Sequence, residues 1–295
     1  MQHILRDTLG FLNLKDVVLS PSINLLGTSW FKILTFIGVW AIVWLPIALL
    51  ISRLIDWQPK ESPTPQQKLI LLASLYILAP GITVWKIKVE SLLISDLGLS
   101  LVPSNLWYVL LGLGASLFSL FLLFAIESAG NLVTWHWQNV RKVLTLSLPI
   151  LVLSLPISLV EELIFRGYIF TTLLTDNSFL VAAIASSFIF AVLHLIWERK
   201  QTIPQLPGLL LMGIVLVIAR VFTNNTIYLS LGLHAGWIWG LTCIDAAELL
   251  SYKYENHWFT GIHQQPLAGI AGILCMVGTG LTIWFSSAQL VAIAH

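Results

Sequence analysis

Residues 143–160 read VLTLSLPILVLSLPISLV. They run without a break into EELIFR at 161–166 and GYIFTTLL at 167–174. The first part carries no charged residue and has the length of a membrane-spanning helix, which needs roughly 20 mostly apolar residues. Two carboxylates and an arginine follow at once, where a span should simply end. Both the fold and the chemistry of the chain turn on that junction.

Seven further apolar runs lie on either side of it: Trp30–Ile51, Leu69–Trp85, Leu106–Ile126, Phe179–Ile196, Leu206–Phe222, Ile227–Leu249 and Leu267–Phe285. The composition agrees. Of 295 residues, 57% are hydrophobic and 10% charged, with mean hydropathy +0.89. A water-soluble domain carries about 25% charged residues, so this chain has too few to cover a surface in water. The expectation is an all-α, polytopic transmembrane helical bundle of about eight spanning helices. It reads as one structural domain: an N-terminal segment (1–29), spans one to three with their loops (30–142), and spans four to eight (143–295). The mixture of Arg6, Asp7, Lys15 and Asp16 with apolar residues does not resemble a secretory signal. The first span is expected to direct insertion.

The connections are short and polar. Arg53–Lys68 holds three prolines. Lys86–Asn105 is amphipathic, with Leu92, Leu93, Ile94 and Leu97 among Glu90, Ser91 and Asp96, and is expected along the membrane interface. Glu127–Lys142 carries Trp135, His136 and Trp137, which suit the headgroup layer. Glu198–Gln205 and Ser251–Gln265 complete the set. Loops after odd-numbered spans hold more Lys and Arg, which points them to the cytoplasm. A net charge of +1 gives no field for nucleic acid. Cys243 and Cys275 sit in apolar runs and read as small hydrophobes. The expected setting is an integral, multi-pass protein of the cell (plasma) membrane, in contact with lipid.

Ionisable residues inside spans are costly and tend to mark function. Glu161 and Glu162 point about 100° apart on a helix, so they should not share a face. Glu162 and Arg166 stand at i, i+4 and can pair, which frees Glu161 as base or ligand. The competing reading is a solvated charge cluster at a helix end. His194 ends its run, and a lone His there also reads as a hydrogen-bonded structural group. His234 lies well inside its run, between small residues that permit close helix approach. Arg220 is expected to reach the interface, with Asn224 and Asn225 just beyond it.

One Glu and two His on three spans can converge. Glu161, His194 and His234 would suit a metal ion, zinc being the expected one, with an open position for water. They would equally suit a metal-free site with Glu as base. No His-Glu-x-x-His helix, Gly-x-Ser-x-Gly elbow or pair of aspartates in successive spans is present.

These residues also resemble a family pattern. Glu161-Glu162-Leu163-Ile164-Phe165-Arg166 is similar to the Glu-Glu-x-x-x-Arg motif of the CPBP intramembrane proteases, the group that includes type II CAAX prenyl endopeptidases and abortive-infection proteins. Phe190-Ala191-Val192-Leu193-His194 resembles their Phe-x-x-x-His motif, and Leu233-His234-Ala235-Gly236 their third. The resemblance spans about Pro149–Ala247. It implies an intramembrane endopeptidase acting on a membrane-associated protein, with CAAX-type prenylated proteins as one substrate class. Glu161 would activate water with His194, Glu162 and Arg166 would brace the site, and His234 would bind water or an oxyanion. One departure stands out. Four residues after His234 the family often has Asn or Asp, and here Ile238 can neither donate a hydrogen bond nor ligate a metal. A catalytically weakened scaffold or regulator on the same fold is therefore the alternative, and a proton-relay transporter a third reading.

Overall fold

The computed structural model describes residues 27–58, 63–196 and 199–293. The N-terminal segment expected over 1–29 lies outside these residues except for 27–29. So do 59–62 of the Arg53–Lys68 loop, and Glu198.

Among the described residues eight long helices carry the fold: α1 (Ser29–Leu54), α2 (Pro65–Val89), α3 (Leu106–Ala129), α4 (Val140–Glu162), α5 (Phe179–Leu193), α6 (Leu206–Phe222), α7 (Tyr228–Ala246) and α8 (Ile270–Ile293). Thr28 caps α1 by accepting from the Phe31 amide, and Thr64 and Gln67 form a reciprocal capping box on α2. Pro46, Pro80, Pro149 and Pro156 lie inside helices. Membrane helices tolerate such prolines because neighbouring groups satisfy the freed carbonyls.

Six helices among the described residues are long and apolar enough to cross a membrane, those of α1 to α6 with their short extensions. The chain is thus a helical polytopic integral membrane protein. The remaining two expected spans are α7 and α8. The apolar stretch of α8 is shorter, at Ile270–Ser286. In α7 every residue from Ser230 to Trp237 is buried within the bundle.

Polarity is arranged for hydrocarbon. Leu34, Ile42, Ile77 and Leu144 face outward and are largely exposed, whereas Ser116, Ser119, Ser158, Glu162, Arg166 and His234 are buried. Lipid tails give apolar side chains no reason to hide, so packing and polar contacts hold such a bundle together.

The most extensive helix packing joins α7 to α3, and α7 also packs against α4. Glycines make it. A Cβ on Gly232 would fall 2.2 Å from the Val109 carbonyl, and one on Gly112 would fall 2.5 Å from that of Leu229. The small residues around His234 therefore serve as anticipated, letting the two backbones touch.

α4 does not end at Glu162. It continues as a π-helical segment, Leu163–Ile169, and closes with one α turn at Phe170–Leu173. The segment Lys86–Asn105, expected along the interface, packs onto this continuation. Leu97 is fully buried, Thr171 donates to the Asp96 carbonyl, and the Ile227 amide donates to Gly98. Arg220 is the reason. Its Nη2 donates to the Asp96 carbonyl at 2.8 Å and its Nη1 to that of Gly167 at 3.3 Å. Its guanidinium is not exposed as a snorkelling side chain would be. It is buried and bridges the loop to the π segment. Leu93 and Ile94 remain exposed, so part of the amphipathic character survives.

Two short antiparallel ladders complete the fold among the described residues. β1 (Val133–Trp135) pairs with β2 (Leu250–Tyr252), and β3 (Asn256–His257) with β4 (Gly261–Ile262).

The crossing predicts a contrast within one helix. Gly112→Ala should lower the thermal unfolding midpoint of the purified protein in detergent, at an overpacking cost of about 1–3 kcal/mol. Gly114→Ala, where an added Cβ meets nothing within 4 Å, should leave it unchanged. Equal midpoints for the two variants would remove the close crossing from the account.

Candidate active site

Glu162 is fully buried. Its Oε1 accepts from Arg166 Nη1 at 3.0 Å and from His234 Nδ1 at 2.9 Å. The i, i+4 pair read from the sequence is therefore formed. A buried carboxylate without such partners would be prohibitively expensive. Arg166, equally buried, spends its remaining surface well. Nη2 donates to the Gly213 carbonyl at 3.4 Å, and the guanidinium lies 4.3 Å from the Phe190 ring centroid.

Glu161 and Glu162 take different faces as the 100° rule predicts, Glu161 lining the cavity and Glu162 turned into the bundle. They take the two edges of one imidazole: His234 Nδ1 faces Glu162, and His234 Nε2 lies 3.4 Å from Glu161 Oε2. A carboxylate only accepts, so Nδ1 carries the hydrogen. His234 is buried behind Glu161 and takes no part in the cavity wall.

The π segment begins one residue after this pair. It puts five residues rather than four between a carbonyl and its amide, and it leaves carbonyls off the regular ladder. The buried Arg220 donates to one of these, on Gly167. Such bulges cluster at functional sites. Nothing in the residue pattern announces this one.

His194 lies in a 3-10 turn, His194–Ile196, that extends α5. Its Nδ1 is 2.8 Å from the Phe190 carbonyl, four residues back. That carbonyl can only accept, so Nδ1 donates and Nε2 keeps its lone pair. The spacing Phe-x-x-x-His has a physical meaning here. Phe190 offers its carbonyl to His194 and its ring to Arg166. The same ring packs against the rings of His194 and His234 at 4.5 and 5.7 Å.

Glu161 and His194 both line a cavity of about 1020 Å³. Its wall is largely apolar, with Trp40, Trp44, Leu72, Ile157, Phe165, Leu193 and Ile238. Polar groups enter from Gln201, Thr202, Gln205, Thr242 and Asp245, and from Tyr252 on β2. Asn224 and Asn225 are not among the lining residues. They form a left-handed turn after α6, with φ of 54° and 60°, and Arg220 Nε holds the Asn225 carbonyl at 3.3 Å. They are no substitute for a donor at Ile238. One lining residue escaped the sequence reading. Tyr76 of α2 donates its phenol hydrogen to Glu161 Oε1. A tyrosine inside an apolar run gives no signal that it will face a carboxylate 85 residues away.

Residues 143–240 match the family model for Type II CAAX prenyl endopeptidase Rce1-like proteins. This bears out the resemblance read from the three motifs. The match covers α4 to α6 and most of α7. The helices α1, α2, α3 and α8 lie outside it. The matched model describes a family of proteases. No curated protein and no solved structure matches the chain.

The expected metal set was Glu161, His194 and His234. Among the described residues no three His, Cys, Asp or Glu side chains gather as a metal site. Both nitrogens of His234 already face carboxylates. The donors as placed do not fit an ion held by three protein ligands.

The buried pair can be tested apart from activity. Arg166→Met leaves Glu162 with a buried charge and one fewer partner, which should cost about 3–5 kcal/mol. Thermal unfolding in detergent reads it. Glu162→Gln added to Arg166→Met should recover a good part of the loss, since the unpaired charge is gone. A single variant as stable as wild type would refute the pairing.

Proposed function

We propose that this chain is an intramembrane endopeptidase of the cell membrane, hydrolysing a peptide bond near the prenylated C-terminus of a CAAX-type protein. One observation carries the reading. Glu161 and His194 share the wall of a single large, mostly apolar cavity, and the buried His234 lies behind Glu161.

The chemistry follows from the residues. A water donates one hydrogen to Glu161 and the other to the Nε2 lone pair of His194. Glu161 takes the proton as the water oxygen bonds to the scissile carbonyl carbon, and the carbonyl π pair moves onto its oxygen. The tetrahedral adduct then collapses. The C–N bond breaks and Glu161 returns its proton to the leaving amine. Glu162 and Arg166 remain a paired, immobile frame throughout. Apolar walls exclude bulk water, which strengthens each of these polar contacts.

The test uses a fluorogenic prenylated CAAX peptide with the purified protein in liposomes. Glu161→Gln should lower kcat by about 10²- to 10⁴-fold, the usual share of a general base, with insertion and yield unchanged. His194→Ala should fall in the same range. Prior treatment with a zinc chelator should leave the wild-type rate intact. Undiminished cleavage by Glu161→Gln would end this assignment, and loss of cleavage on chelation would return a metal to the mechanism.

A further inference from the structure

Glu161 is held from three directions, and only two of them belong to the matched region. His234 lies on one edge of its carboxylate, and its own helix α4 supplies the stem. The third contact is Tyr76, whose phenol donates to Oε1. Tyr76 sits on α2, outside residues 143–240. It lines the same cavity as Glu161 and His194. Tyr76 is the hydrogen-bond donor to Oε1, whereas Oε2 lies 3.4 Å from His234 Nε2 without a hydrogen bond. A carboxylate oxygen has two lone pairs, so the phenol leaves Oε1 one acceptor position for a water.

We propose that Tyr76 is a positioning residue for Glu161. It fixes the plane of the carboxylate against the cavity so that a water bound there is in line with His194. The inference rests on the peptidase reading above and adds to it a group from the N-terminal half. It also gives α2 a function beyond spanning. α2 packs beside α1 and against α4, so a shift of α2 would move the phenol and with it the base. Trp40 Nε1 donates to the Leu75 carbonyl at 3.3 Å, and Trp44 Nε1 donates to Ser74 at 3.0 Å. These two bonds from α1 hold the turn of α2 on which Tyr76 stands.

Tyr76→Phe removes the hydroxyl and keeps the ring. With the prenylated fluorogenic peptide in liposomes, kcat should fall about 10- to 100-fold, the effect of losing a hydrogen bond to a charged group. KM should stay within about two-fold, since the ring still fills the wall. A purely structural tyrosine would instead lower the amount of folded enzyme and leave kcat per active molecule unchanged, and that result overturns the inference. A second measurement does not depend on turnover. The Raman tyrosine doublet reports whether a phenol donates to a strong acceptor. It should change from wild type to Glu161→Ala, and no change overturns the contact even if Tyr76→Phe fails to insert. A wild type that cleaves nothing defeats the peptidase reading and any catalytic use of Tyr76 with it. An active wild type with an equally active Tyr76→Phe defeats the inference alone.

Discussion

Glu162 places a carboxylate where neither water nor lipid can solvate it, and the rest of the site is built around meeting that demand. Arg166 answers from one turn along the same helix, and His234 answers from α7. The second answer carries tertiary information. It requires α7 to approach α4 closely at one height, and it fixes which nitrogen of His234 bears hydrogen. With Nδ1 committed to Glu162, Nε2 turns toward Glu161. The electrostatic need of one buried group thus sets the surroundings of the next.

Packing serves that contact. α7 reaches its place because Gly232 and Gly112 let it lie on α3 with backbone against backbone. Residues Ser230 to Trp237 are buried as a consequence. Phe190 works similarly on the other side, where its ring supports Arg166, His194 and His234 together. The π segment, which lifts the chain out of helical register just past the carboxylates, is tied down by Arg220 through backbone carbonyls. Arg166 and Arg220 are both buried, and both are satisfied by partners rather than by water. A cation used to hold backbone in this way rigidifies the frame and leaves the cavity wall to Glu161 and His194.

The division between wall and frame suits hydrolysis in a membrane. Groups that exchange protons must meet water, and groups that hold them must not. Glu161 and His194 face the cavity, whereas Glu162, Arg166 and His234 lie behind it. The apolar lining keeps the polar contacts strong.

The sequence by itself determined the membrane fold, because eight long apolar runs with few charges have no stable arrangement in water. It also determined which residues would matter, since a carboxylate, an arginine or an imidazole inside a span is too costly to be incidental. The Glu162–Arg166 pair followed from helical spacing alone, and so did the close approach at His234 from its glycines. Only the tertiary structure decided the remainder. That both carboxylates share His234 depends on how α7 sits against α4, which local periodicity does not encode. That Arg220 turns inward, and that Tyr76 meets Glu161, are contacts between segments far apart in the chain. Spacing within a helix is a local property written in residue order. Contacts across a bundle arise from how whole helices pack, and residue order records them only through the sum of every other contact.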